Sequence, residues 1–223
     1  MSAPASRPSY VRLTVWSVLI ATFVITAYGQ RGTRVGHNAA YKYSTFENGV
    51  AFYAIWLAFV LAIAWNRFDL LALRAPRSWW NAWRLAGLAV GVILAAELVA
   101  ALLPLPQSPG KEQGLTPTHW EPAHAGAFAA NVFLLAVIAP FVEELTFRGE
   151  GQSLLQVFGR WPSIVIVGVA FGLAHGLIEG LLVLVPFGIA LAWLRDRTDT
   201  VVPGMVVHAL FNGMTLALAV LVA

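Results

Sequence analysis

Residues 125–158 read AGAFAANVFLLAVIAPFVEELTFRGEGQSLLQVF, and the interpretation of the whole chain depends on this stretch. Its apolar residues are numerous enough for a helix that crosses a bilayer, which needs about 20 mostly apolar residues. The same stretch carries Glu143, Glu144 and Arg148. Ionisable groups are costly inside a membrane, so they usually face the protein interior or a water-filled cavity. The stretch therefore predicts a membrane-spanning helix whose charged residues face a functional site in the protein interior.

The composition of the whole chain points the same way. Of its 223 residues, 59% are apolar and 11% are charged, whereas ordinary soluble domains have about 45–50% and about 25%. The net charge is only +3, and no basic run alternates with aromatic residues, so we expect no nucleic-acid partner. The chain has no cysteine, which excludes a disulfide framework, a thiolate metal site and a cysteine nucleophile.

We interpret seven apolar segments as membrane spans. They run from Leu13 to Tyr28, Val50 to Trp65, Leu85 to Leu103, Ala125 to Phe158, Pro162 to Leu177, Leu181 to Leu194, and Val201 to Ala223. The predicted fold is an all-α polytopic membrane helical bundle of about seven transmembrane helices. We expect one membrane domain, residues 1–223, in which residues 1–124 supply three variable spans and residues 125–223 form a four-span core.

Positive charges predict the orientation, because cytoplasmic loops collect lysine and arginine. One side of the predicted membrane holds Arg7, Arg12, Arg67, Arg74, Arg77, Arg84, Arg160, Arg195 and Arg197. The other side holds Arg31, Arg34, Lys42 and Lys111. We therefore predict a multi-pass cell-membrane protein whose amino terminus is cytoplasmic.

Polar residues of the last four spans form three short motifs. In the first motif, Glu144 and Arg148 are four residues apart and share one helix face, whereas Glu143 points about 100° away. We expect Glu144 and Arg148 to pair, which leaves Glu143 for chemistry. Pro140 lacks a backbone donor, so we expect a kink or a hydrated gap beside Glu143. The alternative is a helix terminus whose charges reach out to water.

The second and third motifs each contain a histidine. Phe171 and His175 share one helix face, as do His208 and Asn212. Small residues around the second motif allow another helix to approach closely; they are Gly168, Ala170, Gly172, Ala174 and Gly176. Taken singly, each motif has a structural alternative, namely a packed histidine or an interhelical hydrogen bond.

The three motifs together resemble the CPBP (CAAX protease and bacteriocin-processing) family, also called the Abi family, which includes CAAX prenyl endopeptidases and bacteriocin-immunity proteins. The matching residues are Glu143-Glu144-x-x-x-Arg148, Phe171-x-x-x-His175 and His208-x-x-x-Asn212, in the family's order. The resemblance covers about residues 131–215. The sequence around the motifs is similar to bacterial members, so we expect a bacterial inner membrane.

The resemblance implies an intramembrane glutamic protease. Glu143 would be the general base, His175 would help to hold and activate a water, and His208 and Asn212 would stabilise the oxyanion. A supporting role is implied for Glu144, Arg148 and Phe171. We expect no cofactor, and as partners a membrane-associated protein or peptide substrate and the lipid bilayer. The oligomeric state stays open, as does the substrate: a prenylated carboxyl terminus, a bacteriocin or peptide precursor, or a carboxyl-terminal sorting anchor.

Two other interpretations remain open at this stage. In the first, Glu143, His175 and His208 bind zinc, since two histidines and a carboxylate form an acceptable catalytic zinc set. In the second, the protein is a non-enzymatic bacteriocin-immunity or scaffold membrane protein.

Two further expectations concern geometry. For the motifs to meet at one depth, the fourth helix must continue to about Phe158. We expect a cavity that reaches inward from the cytoplasmic side, the alternative being an opening on the periplasmic side, which the depth of His175 leaves open. Glu97 lies in the third span outside every motif. We expect it near the outer lipid headgroups, the alternative being a pairing with Arg148 or Asn131.

Overall fold

The computed structural model describes residues 10–30, 38–104, 117 and 119–221. Within these ranges the regular secondary structure is helical and contains no strand. The long helices are α1 (Tyr10–Gly29), α2 (Tyr43–Ile63), α3 (Trp79–Leu102), α4 (Pro122–Phe158), α5 (Arg160–Ala174), α6 (Leu181–Thr198) and α7 (Val202–Leu221). The predicted all-α helical bundle with seven helices is therefore confirmed.

Five of these helices are long and apolar enough to cross a membrane: α1, α2, α3, α4 and α7. Of the other two, α5 has only 15 residues and α6 ends in the polar run 195–199. Several helices begin earlier than predicted, because polar residues also join their first turns. Helix α3, for example, begins at Trp79 rather than Leu85, where the Ser78 side chain accepts a hydrogen bond from the Asn81 backbone N–H at 3.3 Å.

Helix α4 is the long fourth helix that the sequence predicts, with 37 residues from Pro122 to Phe158. It is not uniform, because π-helical segments at Leu134–Ile138 and Leu145–Gly151 flank an α-helical segment at Ala139–Glu144. Such π segments inside α-helices occur frequently at functional sites. The irregularity also agrees with the expected distortion beside Pro140.

The loops between helices meet at two opposite ends of the bundle. At the end where α1 begins, Arg12 Nε donates to the Ile63 carbonyl at 2.9 Å, and Arg74 Nε donates to the Asp199 carbonyl at 2.7 Å. We call this the first end. At the opposite, second end, the Tyr41 hydroxyl donates to the His119 carbonyl at 2.7 Å. Successive helices therefore alternate in direction, and α1, α3, α5 and α7 all run from the first end to the second.

The positive charges are distributed unequally between these ends. The described arginines of the larger predicted set lie at or near the first end, and Lys42 lies at the second. The other cations used for the orientation, Arg7, Arg31, Arg34 and Lys111, lie outside the described residues, as do the last two residues of the predicted seventh span. Which end faces the cytoplasm stays a prediction.

Helices α5 and α6 pack with their backbones in close contact, as the small residues of α5 predict. A Cβ atom added to Gly168 would lie 2.6 Å from the Ile189 backbone nitrogen, and one added to Gly188 would lie 2.5 Å from the Gly168 carbonyl oxygen. Both distances are shorter than van der Waals contact. The two helices can therefore cross this closely only where neither carries a side chain.

We predict that Gly188→Ala destabilises the bundle by about 1–3 kcal/mol, the usual cost of overpacking, because the new methyl group meets backbone that cannot move freely. Gly91→Ala is the matched control, since a Cβ there would meet nothing within 4 Å. Alanine is the better helix former by about 0.5–1 kcal/mol, so the control should be neutral or stabilising. Thermal unfolding of both variants in detergent measures the difference. Equal melting temperatures would contradict the close crossing.

Candidate active site

A cavity of about 250 Å³ lies inside the bundle. Its wall includes residues from every long helix except α1. Five of the seven predicted site residues line it: Glu143, Phe171, His175, His208 and Asn212. The other two, Glu144 and Arg148, are fully buried behind the wall. The structure thus brings the three motifs together around one shared space.

Glu143 presents its carboxylate to this cavity from the α-helical segment of α4. Its Oε1 atom accepts a hydrogen bond from the Tyr53 hydroxyl at 2.8 Å, and its Oε2 atom lies 3.8 Å from His208 Nε2. The side chain is buried, and neither lysine nor arginine pairs with it among the described residues. A neutral donor, the Tyr53 hydroxyl, therefore holds Glu143 in place. The other carboxylate oxygen, Oε2, is outside hydrogen-bond distance of His208 Nε2.

The Glu144–Arg148 contact that the spacing predicts is present. Arg148 Nη1 donates to Glu144 Oε1 at 2.8 Å, and both side chains are completely excluded from solvent. The guanidinium lies over the Phe171 ring, 4.1 Å from its centroid, and Nη2 donates to the Gly188 carbonyl at 3.3 Å. The ion pair therefore connects α4 to both α5 and α6.

Glu144 also holds His208. Its Oε1 atom lies 3.0 Å from His208 Nδ1. Because a carboxylate can only accept a hydrogen bond, Nδ1 carries a proton in this contact. His208 Nε2, on the opposite side of the ring, can donate only when the imidazole carries both protons. Glu144 is thus a positioning residue for His208 as well as the partner of Arg148.

His175 is oriented by the backbone of its own helix. Its Nδ1 atom lies 2.8 Å from the Phe171 carbonyl, which can only accept, so the proton is on Nδ1. In the neutral ring Nε2 therefore carries a lone pair and is an acceptor. Helix α5 ends at Ala174, and Gly176 follows with φ of 68°, a left-handed conformation that is common just after a helix. His175 is consequently fixed at the end of α5.

Phe171 packs against both imidazoles. Its ring centroid lies 4.7 Å from that of His175 and 5.6 Å from that of His208. Phe187 stacks on the same ring at 5.7 Å. The supporting position predicted for Phe171 therefore corresponds to real contacts, in which one side chain touches the guanidinium and both histidines.

Asn212 joins the cavity wall to the irregular part of α4. Its Nδ2 atom donates to the Leu135 carbonyl at 2.8 Å. In π-helical pairing this carbonyl would accept from residue 140, but Pro140 has no backbone N–H. Asn212 supplies the missing donor and keeps one further amide hydrogen. It therefore has a structural contact in addition to its predicted role.

Sequence reasoning missed two residues of the site, Tyr53 and Phe187. A signal for Tyr53 was present, because a phenol inside an apolar span usually finds a hydrogen-bond partner. Nothing in the local sequence distinguishes Phe187 from other apolar residues of α6.

Glu97 does not make the contact with Arg148 or Asn131 that was the alternative to a place near the lipid headgroups. Arg148 contacts Glu144, Phe171 and Gly188, and Asn131 donates only to backbone carbonyls. Glu97 is instead half-buried and lines the same cavity as Glu143. Spacing along the sequence could not indicate this, because α3 carries none of the motifs.

The cavity wall extends toward the second end of the bundle. Beyond the motif residues, it includes Leu177 and Gly180 of the α5–α6 connection and Val183 and Leu184 of the first turns of α6. These residues lie opposite the end where α1 begins, because α5 already ends at Ala174 and puts His175 next to the second end. The side from which the cavity opens stays a prediction, as does the orientation of the bundle.

The zinc alternative requires three ligands that converge on one ion. Among the residues that the structure describes, no group of three or more histidine, aspartate or glutamate side chains is arranged to hold a metal ion. The proposed set of Glu143, His175 and His208 therefore does not fit such a site in this geometry, and we derive no step through a metal.

These observations define a class of protein: a polytopic membrane bundle with a buried carboxylate, two imidazoles and a carboxamide around one internal cavity. A family model described as type II CAAX prenyl endopeptidase, Rce1-like, matches residues 125–214. The resemblance to the CAAX protease family is thus confirmed for this segment, which contains all seven predicted site residues. The match supports a CAAX-type membrane endopeptidase in general. No curated protein and no solved structure matches the chain.

We predict that Arg148→Met destabilises the protein by about 3–5 kcal/mol, because it leaves the buried Glu144 carboxylate without its cation. The double variant Glu144→Gln/Arg148→Met should regain part of this loss, since it removes both charges. Thermal unfolding in detergent measures both effects.

The matched control for this prediction is Arg67→Met. Arg67 pairs with Asp69 at 2.9 Å, but both side chains are partly exposed, at 32% and 59%. Exposed pairs contribute about 0–1 kcal/mol. A loss for Arg148→Met no larger than that of the control would show that the buried pair does not hold the bundle together.

Proposed function

We propose that the protein is an intramembrane endopeptidase that hydrolyses a peptide bond of a membrane-associated protein or peptide, with Glu143 as the general base. One observation carries the proposal: Glu143 and His175 line the same cavity, and the contact of His175 Nδ1 with the Phe171 carbonyl leaves Nε2 as the acceptor of the neutral ring. Both groups accept hydrogen bonds, so together they are suited to bind the two hydrogens of one water. The water's lone pairs then remain available for attack on a carbonyl carbon.

The proton transfers follow from this arrangement. As the water oxygen bonds to the peptide carbonyl carbon, Glu143 takes the water's proton. The resulting carboxylic acid can then donate that proton to the leaving amine as the C–N bond breaks. A correctly placed general base contributes about 10²–10⁴-fold to the rate. The Tyr53 hydrogen bond at Oε1 directs this chemistry to Oε2.

The oxyanion that forms on the carbonyl oxygen needs donors, which we assign to Asn212 and His208. Asn212 offers the amide hydrogen that Leu135 does not use. His208 offers an Nε2–H only as the imidazolium, because its Nδ1 proton faces Glu144. A single donor of this kind is worth about 3–4 kcal/mol of barrier lowering.

We expect Glu143→Gln and His175→Ala each to lower the cleavage rate by at least about 10²-fold, because the first removes the base that takes the water's proton and the second removes a hydrogen-bond acceptor of that water. The assay uses the purified full-length protein in proteoliposomes with a fluorogenic peptide that spans the bilayer. Melting temperatures should stay near that of the unmodified protein. The control is Glu47→Gln, which changes an exposed carboxylate of α2 and should leave the rate unchanged.

Undiminished cleavage by Glu143→Gln would exclude Glu143 as the base. The hypothesis of a non-enzymatic scaffold protein predicts a different result. If Glu143→Gln abolishes cleavage but still complements a strain that lacks the gene, the biological role does not depend on proteolysis.

Metal dependence is tested separately. We expect 1,10-phenanthroline, compared with its non-chelating 1,7 isomer, to leave the cleavage rate unchanged, because Glu143 and His175 act on water directly in the proposed mechanism. Loss of activity with the chelator and recovery with zinc would instead establish the zinc alternative.

A further inference from the structure

Glu97 is an ionisable side chain of the cavity that the proposed mechanism does not use. It projects from α3 into the wall that Glu143, His175, His208 and Asn212 also form. It is half-buried and has no hydrogen-bond or ion-pair partner among the described residues. A carboxylate left without a partner in a largely apolar environment is costly, so it needs an explanation.

The cavity has an unbalanced set of charges. Its wall contains two carboxyl groups, those of Glu97 and Glu143, and no lysine or arginine. The nearby Arg148 lies behind the wall and is bonded to Glu144. Apart from its histidines, the space therefore offers negative charge to whatever enters it. A ligand that carries a cation meets this environment better than one that carries a carboxylate.

The position of Glu97 is better suited to binding the substrate than to taking part in the reaction. It lies five residues before α3 ends at Leu102, toward the second end. The cavity wall continues in that direction from Asn212 to Thr215 and Leu216 of α7, which runs parallel to α3. One turn of helix is about 5.4 Å, and an extended peptide advances about 3.3 Å per residue. Because Asn212 and Leu216 are about one helical turn apart, a substrate segment that follows this wall to Leu216 lies a few residues from the carbonyl group beside Asn212.

We propose that Glu97 binds the basic side chain of an arginine or lysine in the substrate, a few residues from the bond that is cleaved. This inference rests on the proposed endopeptidase function and adds to it a substrate class: apolar segments with one cation near the cleavage site. An arginine side chain inside a bilayer is costly unless it has a partner. The Glu97 carboxylate offsets that cost only for substrates that carry the cation at the matching position. A segment with a glutamate or aspartate side chain at that position is disfavoured.

The test uses full-length protein in proteoliposomes and labelled apolar peptides of about 20 residues. Each peptide carries one arginine, placed in turn at the positions around the cleavage site, or its neutral isostere citrulline, or glutamate. We expect one placement at which arginine raises kcat/KM at least about tenfold over citrulline, as a charge-assisted hydrogen bond would. Glu97→Gln should abolish this ratio, and Glu97→Lys should reverse it in favour of the glutamate peptide. Glu47→Gln is the matched control and should keep the ratio.

Binding is measured as well, so that the endopeptidase function and the cation site at Glu97 can be refuted independently of each other. The inactive Glu143→Gln protein should bind the arginine peptide more tightly than the citrulline peptide by fluorescence anisotropy, and the Glu97→Gln/Glu143→Gln protein should not. If peptides are cleaved without any dependence on charge or on residue 97, the inference is overturned and the endopeptidase stands. If no peptide is cleaved but the Glu97-dependent preference in binding persists, the cation site stands and the endopeptidase does not. Melting temperatures of all variants identify any loss that comes from unfolding, and Glu97→Asp, which keeps the charge, should retain the preference.

Discussion

The buried ion pair between Glu144 and Arg148 is the interaction on which the rest of the site depends. Both side chains are completely excluded from solvent, so each charge is tolerated only because the other is present. The pair determines the position of two other groups. Arg148 lies over the Phe171 ring, which packs on both histidines, and Glu144 holds the Nδ1 side of His208. Its value to the protein therefore lies in orientation more than in net stability.

The same pair explains why the adjacent glutamate can be different. Neighbouring residues on a helix point about 100° apart, so only Glu144 can reach Arg148 along the helix face. Glu143 instead receives a hydrogen bond from the Tyr53 hydroxyl, which is neutral. This neutral donor fixes Oε1 of the carboxylate, and no lysine or arginine among the described residues pairs with Oε2. One helix thus supplies an acid that is paired with Arg148 and a second acid that we propose as the general base.

The sequence allowed prediction of those features that depend on spacing within one helix. The Glu144–Arg148 contact, the shared face of Phe171 and His175, and the length of α4 all follow from residues a few positions apart. Features that depend on how separate helices meet could not be predicted. Tyr53 and Glu97 reach the cavity from α2 and α3, outside the motifs, and their direction is set by tertiary packing. The extension of the cavity wall toward the second end could not be predicted either, because hydropathy continued the fifth span past His175, whereas α5 ends at Ala174.

The irregular backbone of α4 also helps to position a residue of the candidate site. Pro140 removes a donor three residues before Glu143, and in a membrane an unsatisfied carbonyl has no water to turn to. Asn212 satisfies the Leu135 carbonyl from α7 and thereby brings a carboxamide to the cavity. A helix with a backbone donor at residue 140 would not need this contact. The missing N–H of Pro140 thus accounts for the contact that places Asn212, the predicted oxyanion donor, beside this part of α4.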